Sequence, residues 1–140
     1  MNISAKVTNR KNEHRVTLNT AGREHSLNID PKEEGFGSSV SGGELLFLAL
    51  ATCYCNDLYR EAKKRNIAIE QVEVEVSGEF GAEGEGAKHI TYSASVTADA
   101  PEPAIAELMR HTDTVAEIHN TLRQSTPVVL AGCEVRRSNS

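Results

Sequence analysis

The chain has no tryptophan, and three phenylalanines and three tyrosines are its whole aromatic complement in 140 residues. So few rings leave little for unpaired bases to stack on, which argues against single-stranded nucleic acid as a ligand. A basic face is missing too. Fifteen Lys and Arg stand against 20 Asp and Glu, a net charge of -5, whereas phosphate backbones and anionic lipid surfaces attract cations. The longest apolar run, Leu45 to Ala51, falls far short of the roughly 20 residues that a membrane span needs. The opening MNISAKVTNR lacks the apolar core of a secretory signal. Three cysteines, an odd number, do not close a disulfide framework, so the expected setting is a reducing cytoplasm. The length predicts a single domain over residues 1–140.

What the chain does contain is ordered like an α+β protein. Ile3, Ala5 and Val7, then Val16 and Leu18, then Leu27 and Ile29 recur at period two around turns at Asn9–Asn12 and Ala21–Arg23, which predicts a three-strand meander. The segment PKEEGFGSSVSGG from Pro31 to Gly43 reads as a mobile glycine-rich loop. A helix is predicted from Gly43 to Arg65, apolar on every face from Leu45 to Ala51 and therefore enclosed, with cations at its negative end. Val72, Val74 and Val76 alternate with glutamates as a strand with one wet face. Past the acidic loop Gly81–Gly86, His89–Ala98 reads as its hairpin partner. Pro101 and Pro103 open a helical region that Thr112–Thr114 breaks in two, and VVLAGCEVRR predicts a closing strand.

Chemistry narrows to the cysteines. On an ideal helix Cys53 and Cys55 point about 200° apart, so they neither pair nor line one pocket. No histidine sits within a turn of them, and the five histidines are scattered, so no metal site is predicted. Cys133 alternates with Val129, Ala131 and Val135 as a strand-core residue. Cys53 taken alone reads as a small core hydrophobe. An unperturbed thiol is only about 3% thiolate at pH 7, and lowering its pKa to about 6 takes roughly 3.4 kcal/mol of anion stabilisation. A reactive Cys53 thus requires a cation brought in from elsewhere in the fold.

The GELL…ALATCY helix, with Glu44, Leu45, Leu46, Ala49 and Cys53, and the later His119-Asn120-Thr121-Leu122 resemble the OsmC/Ohr superfamily of osmotically inducible and organic hydroperoxide resistance proteins. The order of elements matches over essentially the whole chain, closer to the broad OsmC-like branch than to the two-cysteine hydroperoxide reductases. The resemblance implies an intertwined α+β homodimer with central helices packed together, and a peroxidatic cysteine at Cys53. It implies an arginine stabilising the thiolate, for which Arg10 is the positional counterpart with Arg15 and Arg23 as rivals, and a glutamate orienting that arginine, matched by Glu44. On a continuous helix Glu44 lies about 13.5 Å along the axis from Cys53 and about 180° around it. It would act only through an arginine or across a dimer; alternatively it is a carboxylate at the positive helix start. The resolving cysteine of the two-cysteine branch falls on Ala116, followed by Glu117 instead of proline. Three readings follow. One is thiol-dependent, one-cysteine reduction of organic or hydrogen peroxide regenerated by an external thiol, with no cofactor. Another is a catalytically degenerate dimer binding a small apolar ligand or partner. The third is a structural dimer module with Cys53 as filler.

Overall fold

The computed structural model describes residues 1–138 and falls into two compact units, Met1–Leu48 and Ala49–Ser140. In the first unit, β1 (Ile3–Arg10), β2 (Glu13–Thr20) and β3 (Arg23–Ser26) form the antiparallel meander in the order β1-β2-β3. The register sets Val7 opposite Val16 and Ala5 opposite Leu18, as the alternation requires. The two loop residues between β2 and β3, Ala21 and Gly22, both take positive φ (51° and 84°), the twist that suits a tight hairpin. β3 stops at Ser26, so Leu27 and Ile29 lie beyond the strand expected to hold them. Pro31 bridges to Ser38 instead and turns the chain away.

The glycine-rich loop is pinned, contrary to the expectation of a mobile segment. The Asn9 side-chain amide donates to the Gly37 carbonyl at 3.1 Å and its oxygen accepts the Gly37 N–H at 3.0 Å. Gly35 has φ 99°, a backbone conformation that favours glycine, and a Cβ there would also press the Asn12 side-chain oxygen at 2.8 Å. The loop feeds α1 (Gly42–Lys64) through a capping box. Glu44 N–H donates to Ser41 Oγ at 3.1 Å, and Ser41 N–H donates to Glu44 Oε1 at 2.9 Å. Two orphan donors at the helix start are met reciprocally. The boundary between the units falls within α1.

The second unit holds the core. Leu50, Tyr54, Leu58 and Ala62 recur every fourth residue along α1 and are all buried. The helix is not enclosed all round, however: Leu48 is 58% exposed and Tyr59 46%. Burial follows one stripe, from Leu50 to Ala62. Asn66 in the left-handed region (φ 54°) ends α1; Ile67 N–H reaches the Ala62 carbonyl and Asn66 N–H the Lys63 carbonyl, a Schellman closure. β4 (Ala68–Glu79) and β5 (Lys88–Asp99) pair antiparallel, Val72 with Val96, Val74 with Ala94 and Val76 with Tyr92. Val72, Val74, Tyr92, Ala94 and Val96 pack on Tyr54, Leu58, Ala62 and Leu108.

α2 (Glu102–Val115) and α3 (Glu117–Arg123) follow. The break falls at Ala116, whose ψ of 112° is extended, two residues beyond the predicted Thr112–Thr114. The carbonyls that α2 leaves open are taken by α3 side chains, since Asn120 donates to the Thr114 carbonyl at 3.0 Å and Arg123 to the Asp113 carbonyl at 2.9 Å. Among the described residues no strand follows α3. The expected closing strand has no ladder partner there, Val128 and Leu130 are exposed, and Cys133 is an exposed free thiol rather than a strand-core residue.

Leu58, fully buried at the centre of this core, sets an expectation. Leu58→Ala lowers unfolding free energy by about 2–5 kcal/mol in denaturant titration, and a loss under about 1 kcal/mol would contradict the packing described.

Candidate functional site

Cys53, Asp57, Arg60 and Glu61 lie along one side of α1 at spacings of four, three and one, so successive turns present them together. α3 faces them with its first residues. The Cys53 thiol donates toward Asp57 Oδ2 at 3.5 Å, with Glu117 Oε1 at 3.9 Å. Arg60 Nη1 lies 2.8 Å from Glu117 and 3.1 Å from Asp57, while its Nε donates to Glu61 at 2.9 Å. Glu61, only 4% exposed in its side chain, also meets Lys64 at 3.0 Å and His111 at 3.1 Å. Three carboxylates thus converge on one guanidinium, and a half-buried thiol sits at the edge of the cluster.

The electrostatics oppose a thiolate. Burial pushes the Cys53 thiol up, the backbone N–H of Ile118 partly offsets this, and the charges of Asp57 and Glu117 push it further up. Burial likewise raises Asp57, and its hydrogen bond with Glu117 adds to the rise. Glu117 is held down, first by Asp57, then by its own backbone N–H, and further by Arg60, so Asp57 is the carboxyl that keeps a proton longer. Glu61 is lowered to about 2 by its bonds from Arg60 and Lys64. A carboxylate of raised pKa within reach of a thiol proton has the makings of a general base.

Of the three residues predicted for the site, Cys53 belongs to this cluster. Glu44 is committed to the capping box, and the Ser41 backbone N–H that it accepts holds its carboxyl below the usual range. Arg10 ends β1, with its side chain 74% exposed and paired to Glu13 at 3.2 Å. Both lie in the first unit. Cys55 lies instead beside Ala51, Val72 and Val74, as its helical angle implies. Asp57 and Arg60 were not singled out by the sequence reading, although spacings of four and seven from Cys53 place them on its helix face. Glu117 was noted only as the residue standing where proline was expected, and its approach to α1 depends on the break at Ala116. The ligating atoms of Cys53, Asp57 and Glu117 lie within 4.8 Å of one another, a grouping that sequence reading did not foresee. Arg60 is already paired with both of its carboxylates, so a cation would have to displace that guanidinium.

A family model described as OsmC-like protein matches residues 35–131, more than half of the chain. The chain belongs to the OsmC-like family. Solved OsmC-like folds align with it over most of their length. An OsmC-like protein from Mycoplasma pneumoniae is 23% identical, with a TM-score of 0.57 over 86% of this chain and 87% of that one. A Legionella pneumophila organic hydroperoxide resistance protein OsmC is 21% identical, with a TM-score of 0.59 over 88% and 90%. An organic hydroperoxide resistance protein from Elizabethkingia anophelis is 18% identical, with a TM-score of 0.58 over 88% and 89%. At such identities the likeness is one of fold. No curated protein matches the chain in sequence. In this OsmC-like protein Ala116, at the position where the resemblance places a resolving cysteine, is fully buried at the break before α3. No helix among the described residues is long and apolar enough to cross a membrane.

The carboxylate burden on Cys53 is measurable. In a Cys55→Ala, Cys133→Ala background, Glu117→Gln lowers the Cys53 pKa and Arg60→Gln raises it, read by ultraviolet thiolate absorbance against pH. Shifts in the reverse directions would mean that the cluster does not govern the thiol.

Proposed function

We propose that this OsmC-like protein is a cytoplasmic one-cysteine thiol peroxidase acting on organic hydroperoxides, in which Asp57 takes the proton of the Cys53 thiol. The observation that carries the reading is the thiol donating toward the Asp57 carboxylate at 3.5 Å. The names of the Legionella and Elizabethkingia relatives, both organic hydroperoxide resistance proteins, favour this substrate class. As Sγ attacks the distal peroxide oxygen, the S–H proton passes to Asp57 and the O–O bond breaks. The departing alkoxide takes up a proton, leaving Cys53 sulfenic acid and an alcohol. An external thiol then condenses with the sulfenate, releasing water, and a second thiol frees Cys53 as a disulfide departs. Ala116 offers no resolving sulfur, and neither Arg10 nor Glu44 is assigned a step.

A specific observation favours a second reading. Burial and two carboxylates hold Cys53 as the neutral thiol, which suits a family member that has lost catalysis and binds a small apolar molecule. The two readings part on Cys53-dependent turnover in the wild type, which the second reading lacks, and Asp57→Asn separates two roles for Asp57 within the first. Removing that charge favours thiolate, so a purely electrostatic role predicts faster turnover of an organic hydroperoxide with dithiothreitol. A general base predicts turnover at least about tenfold slower. Cys53→Ser abolishes turnover on the first reading; equal rates in Cys53→Ser and wild type would end it.

We also propose a homodimer. Phe36 is 59% exposed, Leu48 58% and Val7 58%, large apolar side chains that a second copy of the chain would cover. Sedimentation equilibrium is expected to give twice the 15.2 kDa chain mass, and a value of one chain mass would overturn the proposal.

A further inference from the structure

Glu61 is the buried carboxylate that the Cys53 reaction proposed above does not use. Both of its oxygens are taken. Oε2 accepts from Arg60 Nε at 2.9 Å and from Lys64 at 3.0 Å, while Oε1 meets His111 Nε2 at 3.1 Å and lies 3.9 Å from Arg65. Three of those partners share α1 with it, and His111 stands on α2. With its side chain 4% exposed, the carboxylate cannot turn to water for its bonds, so these contacts fix where it points. The bonds from Arg60 and Lys64 that lower it to about 2 keep it an anion throughout the neutral range.

Arg60 has no comparable hold of its own. Its side chain is 38% exposed and long, with rotamer freedom that its contacts must restrict. One nitrogen, Nη1, serves Glu117 at 2.8 Å and Asp57 at 3.1 Å. Among the described residues its remaining ion pair runs from Nε to Glu61. The guanidinium is a rigid plane, so an Nε fixed on Glu61 sets the direction in which Nη1 points. The two carboxylates that Nη1 meets are the ones beside the Cys53 sulfur, at 3.5 and 3.9 Å. The alignment of Arg60 therefore decides how well their charge is compensated where the thiol feels it.

We propose that Glu61 is a positioning residue for the Cys53 site: by holding Arg60 Nε it turns Nη1 onto Asp57 and Glu117, and so governs how far their negative charge bears on the sulfur. Glu61 touches no reacting atom and acts through Arg60. The role deepens the peroxidase reading and rests on it for any effect on turnover. Two consequences of losing Glu61 have opposite signs. Removing its charge alone favours thiolate, because an anion leaves the edge of the cluster. Losing the alignment of Arg60 disfavours thiolate, because Asp57 and Glu117 are then left uncompensated beside the sulfur.

The test titrates the Cys53 thiolate by ultraviolet absorbance in the Cys55→Ala, Cys133→Ala background, with no peroxide present. Glu61→Gln keeps an oxygen that accepts from Arg60 Nε and loses the charge; Glu61→Leu loses both. Positioning predicts that the two variants part. In Glu61→Leu the midpoint rises by about one pH unit, roughly tenfold less thiolate at a given pH, whereas Glu61→Gln has as much thiolate as the parent or more. In an Arg60→Gln background Glu61→Leu causes no further loss. Equal results in Glu61→Gln and Glu61→Leu, in either direction or none, would overturn the proposal, as would a further loss without Arg60. Should Glu61→Leu not fold, the wild type still decides. Its Arg60 Nε–H is expected to exchange with water at least about tenfold more slowly than that of Arg15, 73% exposed, and exchange at the Arg15 rate would overturn the proposal. Turnover that survives Cys53→Ser would sink the peroxidase reading and leave these thiol titrations standing.

Discussion

The guanidinium of Arg60 is the fixed point of the second unit's chemistry. It contacts Asp57, Glu61 and Glu117 at 2.8–3.1 Å, and two of those carboxylates are almost wholly buried. Buried carboxylates persist only when paired and hydrogen-bonded, and Arg60 supplies that pairing with a planar fork that lysine cannot reproduce. Because Glu117 opens α3 while the other partners lie on α1, the same cation ties the short helix to the long one. Cys53 inherits its surroundings from this arrangement. The acids gathered to satisfy Arg60 also flank the sulfur, so the thiol gains a proton acceptor and loses the electrostatic support a thiolate would want.

α3 is only seven residues long, yet it organises two different environments. Its leading edge gives Glu117 and the Ile118 N–H to Cys53, and its interior gives His119 to Tyr54 and Tyr92. Two more of its polar side chains, Asn120 and Arg123, close open carbonyls of α2. A helix this short has little stability of its own, so it is held by what it caps and pairs with. The fully buried Ala116 in extended conformation makes this geometry available, since a continuous helix from Glu102 onward would have aimed Glu117 and His119 elsewhere.

Much of this architecture was legible in the residues. The capping serine and glutamate, the apolar series along α1 and the valine alternation in β4 each obey a local period, and local rules place such elements to within a residue or two. Those rules failed where an element's fate depends on a partner. Leu27, Ile29 and the stretch from Val128 to Val135 have strand-like alternation, but a strand exists only where another edge accepts its hydrogen bonds. The glycine-rich loop looked free, and it is Asn9, distant in sequence, that pins it.

Composition and pattern by themselves determined the α+β class, the helix bearing Cys53, and the family whose helix it resembles, because amphipathic period and capping chemistry are properties of neighbouring residues. Tertiary structure alone decided what surrounds the sulfur and the buried imidazole. Whether Glu117 joins Asp57 beside Cys53, and what surrounds His119, depends on residues some sixty positions apart in the chain meeting after α2 breaks. No local period encodes that meeting. It is settled when burial, charge pairing and the break at Ala116 are satisfied together.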